Sequence, residues 1–371
     1  MKYQPLRILH IASGDLWAGA EVQLYYLAKA LNASEGIKLK VLLLNSGELQ
    51  RRLQAKEIDV EVLDERQHSY FSLFAYGKQI AKAFKPDIIH THRYKENILG
   101  SFIASQLPGT RSVRTVHGEQ EINFPWWRFD KRLYQALDNY CGNNLQEKII
   151  AVSYELAEKL KSVYRPEKIL IIENGVDIEE IREAAKEQIS LPGPDNTIKL
   201  AIVCRLVPVK RIDIFLNILN LLERRYPNRY SGYIFGDGPL ETELKQQALT
   251  QNINHCTHFM GFRTNIPAYL NKMDCLVITS DHEGLPMNLL EALALDKPVV
   301  SHTAGGVASV LEQSFKDGLI NDNLPHSYVE AIIRIPFIHH ELSLPYKYDY
   351  RTNAIKYQDL AYTWTNNIHL G

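Results

Sequence analysis

Ser280-Asp-His-Glu283-Gly284-Leu285-Pro-Met-Asn-Leu-Leu-Glu291-Ala-Leu293 runs from the end of an apolar segment, through a Gly and Pro turn, into a stretch of strong helix formers. Strand, turn and helix in that order are one βα step of a parallel sheet, and open α/β sheets bind ligands at the carboxyl edge. Glu283 and the amides of Gly284 and Leu285 fall on that edge. The helix that follows aims free N–H groups and a partial positive charge the same way, which suits a phosphate. Glu291, early in that helix, is placed to accept hydrogen bonds from sugar or ribose hydroxyls. Taken singly, either Glu also reads as an ordinary helix-flanking or surface charge.

Outward from this stretch the same rhythm fills the chain. In the second half, apolar runs at 198–204, 232–235, 275–279 and 298–302 alternate with helical patterns near 213–224, 240–248, 287–294 and 327–333. In the first half the runs are 7–12, 39–44, 59–63, 87–92, 112–116, 148–152 and 168–172. Leu24, Leu27, Ala28 and Leu31 between the first two have the spacing of one buried helix face. Residues 190–196, Ser-Leu-Pro-Gly-Pro-Asp-Asn, break the rhythm as a linker. The reading is α/β, with domains at 1–185 and 190–345. Ala354, Tyr357, Leu360, Ala361 and Trp364 mark a closing helix near 350–366. A chain of 371 residues is the right size for two cores.

Five further segments carry chemistry. Arg205-Leu-Val-Pro-Val-Lys210 follows a strand and supplies a guanidinium and an ammonium, the groups that neutralise charge growing on a departing phosphate; two solvated loop cations are the plainer reading. Phe235-Gly236-Asp-Gly-Pro239 ends another strand with the small residues that a sharp turn near a ligand needs. Gly14-Asp-Leu-Trp17-Ala-Gly19-Ala-Glu21 opens the first helix but does not match G-x-G-x-x-G, which argues against a nicotinamide cofactor. His90 and His92 share one side of a strand, yet no third ligand follows at metal spacing, and no metal is expected. His117, beside Gly118 at a strand's carboxyl end, reads either as a substrate contact or as a hydrogen-bonded core histidine.

Composition narrows the classes. Lys plus Arg number 42 and Asp plus Glu 43, so no global charge draws the chain to nucleic acid. Hydrophobic residues at 45% and charged residues at 23% describe an ordinary globular protein. Cys141, Cys204, Cys256 and Cys275 form no metal or redox spacing; Cys204 and Cys275, inside apolar runs, read as core. With no run of about 18 to 20 apolar residues to span a bilayer, the expected location is the cytoplasm, with peripheral contact at a membrane's inner face through the N-terminal domain.

Read together and in order, these pieces resemble the family-4 retaining glycosyltransferases. The matching segments are the Gly19 loop, residues 87–92, Thr115 to Gly118, Val152-Ser153, Glu173 to Asp177, Arg205 to Lys210, Gly236 to Pro239, Gly261, the Glu283/Glu291 pair, and Ala304-Gly-Gly306. The resemblance implies the GT-B architecture, two facing Rossmann-like domains with a deep interdomain cleft, and a closing helix that crosses back onto the first domain. It implies that Arg205 and Lys210 hold a donor diphosphate, that Glu283 contacts the transferred sugar and that Glu291 binds the nucleotide ribose. Gly19 would let the first loop approach the phosphates, and His117 would lie near the reacting sugar. A UDP-linked hexose or N-acetylhexosamine is the expected donor, with Gly236, Gly284 and Leu285 lining its site. The expected acceptor is a glycan or a lipid-linked saccharide, touched by Trp17, Trp126 and Trp127. No cofactor is implied.

The chain departs from the family at two places: Cys204 stands where Gly commonly precedes Arg-Leu, and Ser309 where Glu is usual. Residues 321–346 match poorly and receive no role. The rivals are a phosphorylase, a nucleotide-sugar epimerase or hydrolase, and a non-catalytic scaffold that binds sugar nucleotides. No segment reads as a pyridoxal phosphate lysine site, and Arg205, Lys210, Glu283 and Glu291 together argue against decay.

Overall fold

The computed structural model describes residues 5–15, 17–118, 129–335, 342 and 344–366, with side chains at 129–131 and 364–366 left aside. The chain divides into two compact units, residues 1–175 with 347–371, and residues 176–346.

In the first unit, strands β1 (Leu6–Ala12), β2 (Ile37–Leu43), β3 (Asp59–Val62), β4 (Ile88–Thr91), β5 (Arg111–Val116), β6 (Lys148–Ala151) and β7 (Ile169–Ile171) form one sheet in the order β3-β2-β1-β4-β5-β6-β7. Every pairing is parallel. Parallel strands need crossovers, supplied here by α1 (Gly19–Asn32), α2 (Glu48–Ala55), α3 (Tyr70–Phe84), α4 (Tyr94–Ser105), α5 (Phe129–Tyr140) and α6 (Tyr154–Leu160). Both faces of the sheet are covered, so its strands are continuous apolar runs: Ile8, Leu9, Ile11, Val41 and Leu42 are all fully buried.

The second unit repeats the plan. It begins with α7 (Ile178–Ala184), and its sheet order is β10-β9-β8-β11-β12-β13, again all parallel. The strands are β8 (Ile198–Val203), β9 (Tyr230–Phe235), β10 (Thr257–Gly261), β11 (Cys275–Ile278), β12 (Val299–His302) and β13 (Leu319–Ile320). They alternate with α8 (Ile212–Arg225), α9 (Glu241–Thr250), α10 (Ile266–Asn271), α11 (Met287–Ala294), α12 (Val307–Ser314) and α13 (Pro325–Arg334). All eleven predicted strands are present; β10 and β13 are additions.

The last helix, α14 (Tyr350–Asn366), belongs to the first unit although the whole second unit intervenes in sequence. It buries Ala354, Tyr357 and Ala361, the stripe expected from the sequence, while the Trp364 side chain lies outside the described residues. Tyr350 packs beside Tyr26 of α1, and the Tyr357 ring stacks on His90 with centroids 5.0 Å apart.

Each sheet reverses its strand order once, at β1/β4 and at β8/β11. Chains leave such a point in opposite directions and open a crevice at the carboxyl edge, where ligands of this architecture bind. Every segment singled out as chemical in the sequence begins beside one of these reversals or on a neighbouring strand.

Candidate functional site

In the second unit the loops after β8, β9, β11 and β12 are stitched together by backbone bonds. Cys204 N donates to Phe235 O, Leu206 N to Asp237 O, Asp281 N to Val209 O and Gly306 N to Gly284 O, all at 2.8 to 3.0 Å. The Asn288 amide of α11 reaches back to Val203 O at 2.7 Å. Two glycines make the close approach possible. Gly236 has φ +123° and Gly305 φ +53°, and a Cβ on either would overlap the carbonyl oxygen of Cys204 or Glu283.

This scaffold fixes the predicted pair. Lys210 Nζ, at the end of a short 3₁₀ turn, lies 2.6 Å from Glu283 Oε1, with both side chains mostly shielded from solvent. Burial works against the ammonium, but the charge of Glu283 and its hydrogen bond prevail and hold the Lys210 pKa above the usual lysine value. Arg205 is exposed on the same loop. Gly284 and Leu285 are buried, and Glu291 is buried too, at 8% exposure, so it is not the surface charge that its type alone suggests. Cys275 is core as expected. Cys204 is only half-buried, at the strand's end, where the charges of Lys210 and Glu283 both act on it and burial pushes its thiol up to about 12. It therefore borders the charged site, a correction to its reading as core. Ser309, where Glu is usual, turns its hydroxyl onto Gly306 O of its own helix start.

In the first unit the carboxyl edge of β1 and β4 gathers groups that sequence spacing did not connect. The Arg93 guanidinium pairs with buried Glu21, and the Ser13 hydroxyl donates to buried Glu96. Arg93, at the start of α4, takes φ +136°, a region almost reserved for glycine. Burial raises the Glu21 carboxyl to about 7 against the pull of Arg93. Gly19 is the exposed first residue of α1. Trp17 is half-buried, with Arg52 over its ring and Tyr25 at its edge, contacts of a packing residue. Trp126 and Trp127 lie outside the described residues.

His90 on β4 and His92 just past its end do stack their rings on one side, and the third histidine that sequence spacing missed comes from β1. His10 pairs in register with His90, and the three offer ring nitrogens within 4.8 Å of one another. His117 follows β5 and joins them through His92. Nothing in the local sequence signals His10, because its neighbour is 80 residues away.

The comparisons agree with this geometry. Residues 17–180 match the model described as Glycosyltransferase Family 4, and residues 197–335 the model described as Glycosyl transferases group 1. The UDP-Gal:alpha-D-GlcNAc-diphosphoundecaprenol alpha-1,3-galactosyltransferase of Escherichia coli is 30% identical, over 69% of this chain and 68% of that one. The amylovoran biosynthesis glycosyltransferase AmsK of Erwinia amylovora is 24% identical over 71% and 68%. Among solved structures, the Anabaena protein HepE in complex with UDP-glucose superposes with a TM-score of 0.74 at 21% identity, covering 97% of this chain and all of that one. Sucrose-phosphate synthase from Thermosynechococcus elongatus gives 0.72 at 15% identity, covering 98% and 100%. The two family models and the Escherichia coli relative make the chain a nucleotide-sugar-dependent glycosyltransferase, and its two parallel-sheet units have the GT-B fold of these neighbours. The chain belongs to the family-4 glycosyltransferases.

Proposed function

We propose that the chain transfers a hexose or N-acetylhexosamine, with retention of anomeric configuration, from a UDP-linked donor to a glycan or lipid-linked saccharide in the synthesis of a cell-surface polysaccharide or glycoconjugate. The carrying observation is the Lys210–Glu283 pair at the β8/β11 reversal, beside exposed Arg205. In this reading the two cations take the charge that develops on the leaving diphosphate. Glu283 turns to the sugar hydroxyls, Glu291 holds the ribose, and the departing phosphate oxygen accepts the proton of the attacking hydroxyl on the same face. No protein nucleophile is required. The relative from Escherichia coli makes UDP-galactose the first donor to try, against UDP-glucose and UDP-N-acetylglucosamine, with a saccharide linked through diphosphate to a polyprenol as acceptor. NMR of the product's new anomeric centre tests retention; an inverted product, or no transfer from any of the three donors, overturns the proposal.

Transfer is expected to need no divalent metal. The chain has no Asp-x-Asp sequence, and Arg205 and Lys210 occupy the place of a metal in leaving-group stabilisation. Initial rates should be unchanged by excess EDTA. Loss of activity to the chelator, restored by Mg²⁺ or Mn²⁺, would sink this expectation.

The acceptor is proposed to enter beside residues 122–132, where Phe124, Trp126, Trp127 and Phe129 alternate with Arg128, Lys131 and Arg132. Downstream on α5, Leu133, Tyr134 and Tyr140 are exposed large side chains, which supports an apolar contact surface, free or at a membrane. Among the described residues no helix is long and apolar enough to cross a membrane. Replacing Trp126 and Trp127 by Ala should leave donor affinity intact while weakening acceptor use or vesicle binding. Loss of donor affinity as well, or an unfolded product, would assign the tryptophans to the core.

A further inference from the structure

A small cavity lies between the last helix and the sheet of the first unit. Its walls include Gln23 of α1, His90 of β4, Thr115 of β5, and Asn353 and Tyr357 of α14. Four of these side chains are deeply enclosed: Gln23 is 8% exposed, Asn353 4%, Tyr357 1% and His90 not at all. Thr115 already serves His90, whose Nε2 lies 2.8 Å from its hydroxyl oxygen. The other polar atoms are left over. Gln23 Oε1, His90 Nδ1, the Asn353 Oδ1 and Nδ2 atoms and the Tyr357 hydroxyl are shielded from solvent and have no hydrogen-bond partner among the described residues. Asn353 reaches this place because residue 175 is glycine; a Cβ at Gly175 would overlap the Asn353 amide nitrogen.

Five unpaired polar atoms around one cavity are more than a native interior leaves unsatisfied, because roughly nine in ten buried polar groups are paired and an unmade bond is costly. The chemistry of the wall selects what pairs them. It offers amide, phenol and imidazole groups, both donors and acceptors, and no carboxylate or thiol lines it to balance a metal ion. Burial takes His90 well below the ordinary histidine pKa, so its ring is neutral and supplies no charge for an anion. Size narrows the choice further. The cavity offers water a volume of about 10 Å³, room for one molecule and too little for a sugar or a nucleotide.

We propose that the first unit binds one structural water molecule, held by Gln23, His90, Asn353 and Tyr357, and that this water is the polar joint between α14 and the body of the unit. Water donates two hydrogens and accepts two. Gln23 Oε1 can only accept, the Asn353 amide and the Tyr357 hydroxyl can each donate, and His90 Nδ1 takes the role that its bond to Thr115 leaves it. A polar site with two to four such partners retains its water, whereas an apolar cavity of the same size stays dry. The joint also gives α14 a register. Ala354 and Ala361, its other buried stripe residues, are small and apolar and would tolerate sliding. Asn353 and Tyr357 are four apart and share one helix face, so a slip by one residue takes both from the water. Nothing in this assignment depends on which sugar is transferred.

The test is a crystal structure of the full chain at a resolution that shows ordered water. The expected result is one isolated peak of density within about 2.7 to 3.2 Å of polar atoms on at least three of the four side chains. A dry cavity, a metal's anomalous signal, a larger ligand or another segment of the chain in that place overturns the proposal. Thermal melts of Gln23→Met, Tyr357→Phe and the double variant test it in solution. No direct bond joins these two side chains among the described residues, so their coupling reports the shared water. Each single variant should melt about 2 to 4 °C lower, and the double variant well short of the sum. Additive losses, or a single variant that melts higher because it removes an unpaired atom, would count against any water there. Tyr357→Phe keeps the ring that stacks on His90, so if Gln23→Met fails to fold, the density and the Tyr357→Phe melt still decide.

Discussion

Lys210→Ala should lower turnover by on the order of 10²-fold or more while leaving the fold intact, because under the proposed function it removes a positive charge that meets the negative charge growing on the leaving diphosphate. The ammonium stands 2.6 Å from Glu283, on a loop tied by backbone bonds to the ends of β9 and β11. Its removal also leaves the largely shielded Glu283 carboxylate without its ion-pair partner. Lys210→Arg keeps the charge but not the compact point geometry, and should recover only part of the rate. The measurement is kcat at saturating nucleotide sugar, with a thermal melt to confirm the fold. Turnover equal to that of the unaltered chain would reduce Lys210 to a solvated loop cation.

Arg114→Leu should destabilise the first unit by about 3 to 5 kcal/mol, the cost of stranding one member of a buried ion pair. Arg114 on β5 is fully buried, and its guanidinium donates to Asp138 Oδ2 at 2.7 Å, to Asp138 O at 3.0 Å, to the Tyr164 hydroxyl at 2.9 Å and to the Gln146 side chain. Burial opposes its charge, and Asp138 more than compensates. With Arg114 gone, the Asp138 carboxylate is left inside the protein near a single remaining hydroxyl, Tyr164 at 3.3 Å. A loss of this size shifts the melting temperature of a unit of roughly 200 residues by about 10 °C. The double variant Arg114→Met with Asp138→Leu removes both charges and should recover most of the loss. A single variant as stable as the unaltered chain, or a double variant worse than the single, would contradict this account.

How much of the molecule the sequence discloses depends on the range of the interaction concerned. The parallel strands were legible because each is a short apolar run between helical patterns, a local property. β13 has two residues, and β10, Thr-His-Phe-Met-Gly, mixes polar and apolar types at a sheet edge, so neither offered a run to notice. The site divides the same way. Glu283 and Lys210 were legible because each sits at a strand end that its own neighbours announce, and the structure brings them together across 73 residues. The Glu21–Arg93 pair and the place of His10 beside His90 depend on which strands become neighbours, a matter of sheet order and register that no local spacing encodes. Burial was the other blind point. Glu291 reads by type as a surface carboxylate and Glu21 drew no reading of its own, and only packing shows that both are enclosed. The tryptophans at 126 and 127 remain known by composition and position alone.

The return of α14 to the first unit also sets an order of events during synthesis. Residues 176–346 leave the ribosome with everything needed for their own sheet, whereas the sheet formed by β1 to β7 must wait for residues 347–366 before Tyr357 covers His90 and Tyr350 meets Tyr26. At about 5 to 20 residues per second the delay is roughly 10 to 40 s. For that interval the nascent chain carries an uncapped apolar groove over its histidines, and the unit that begins translation first is the last to be complete.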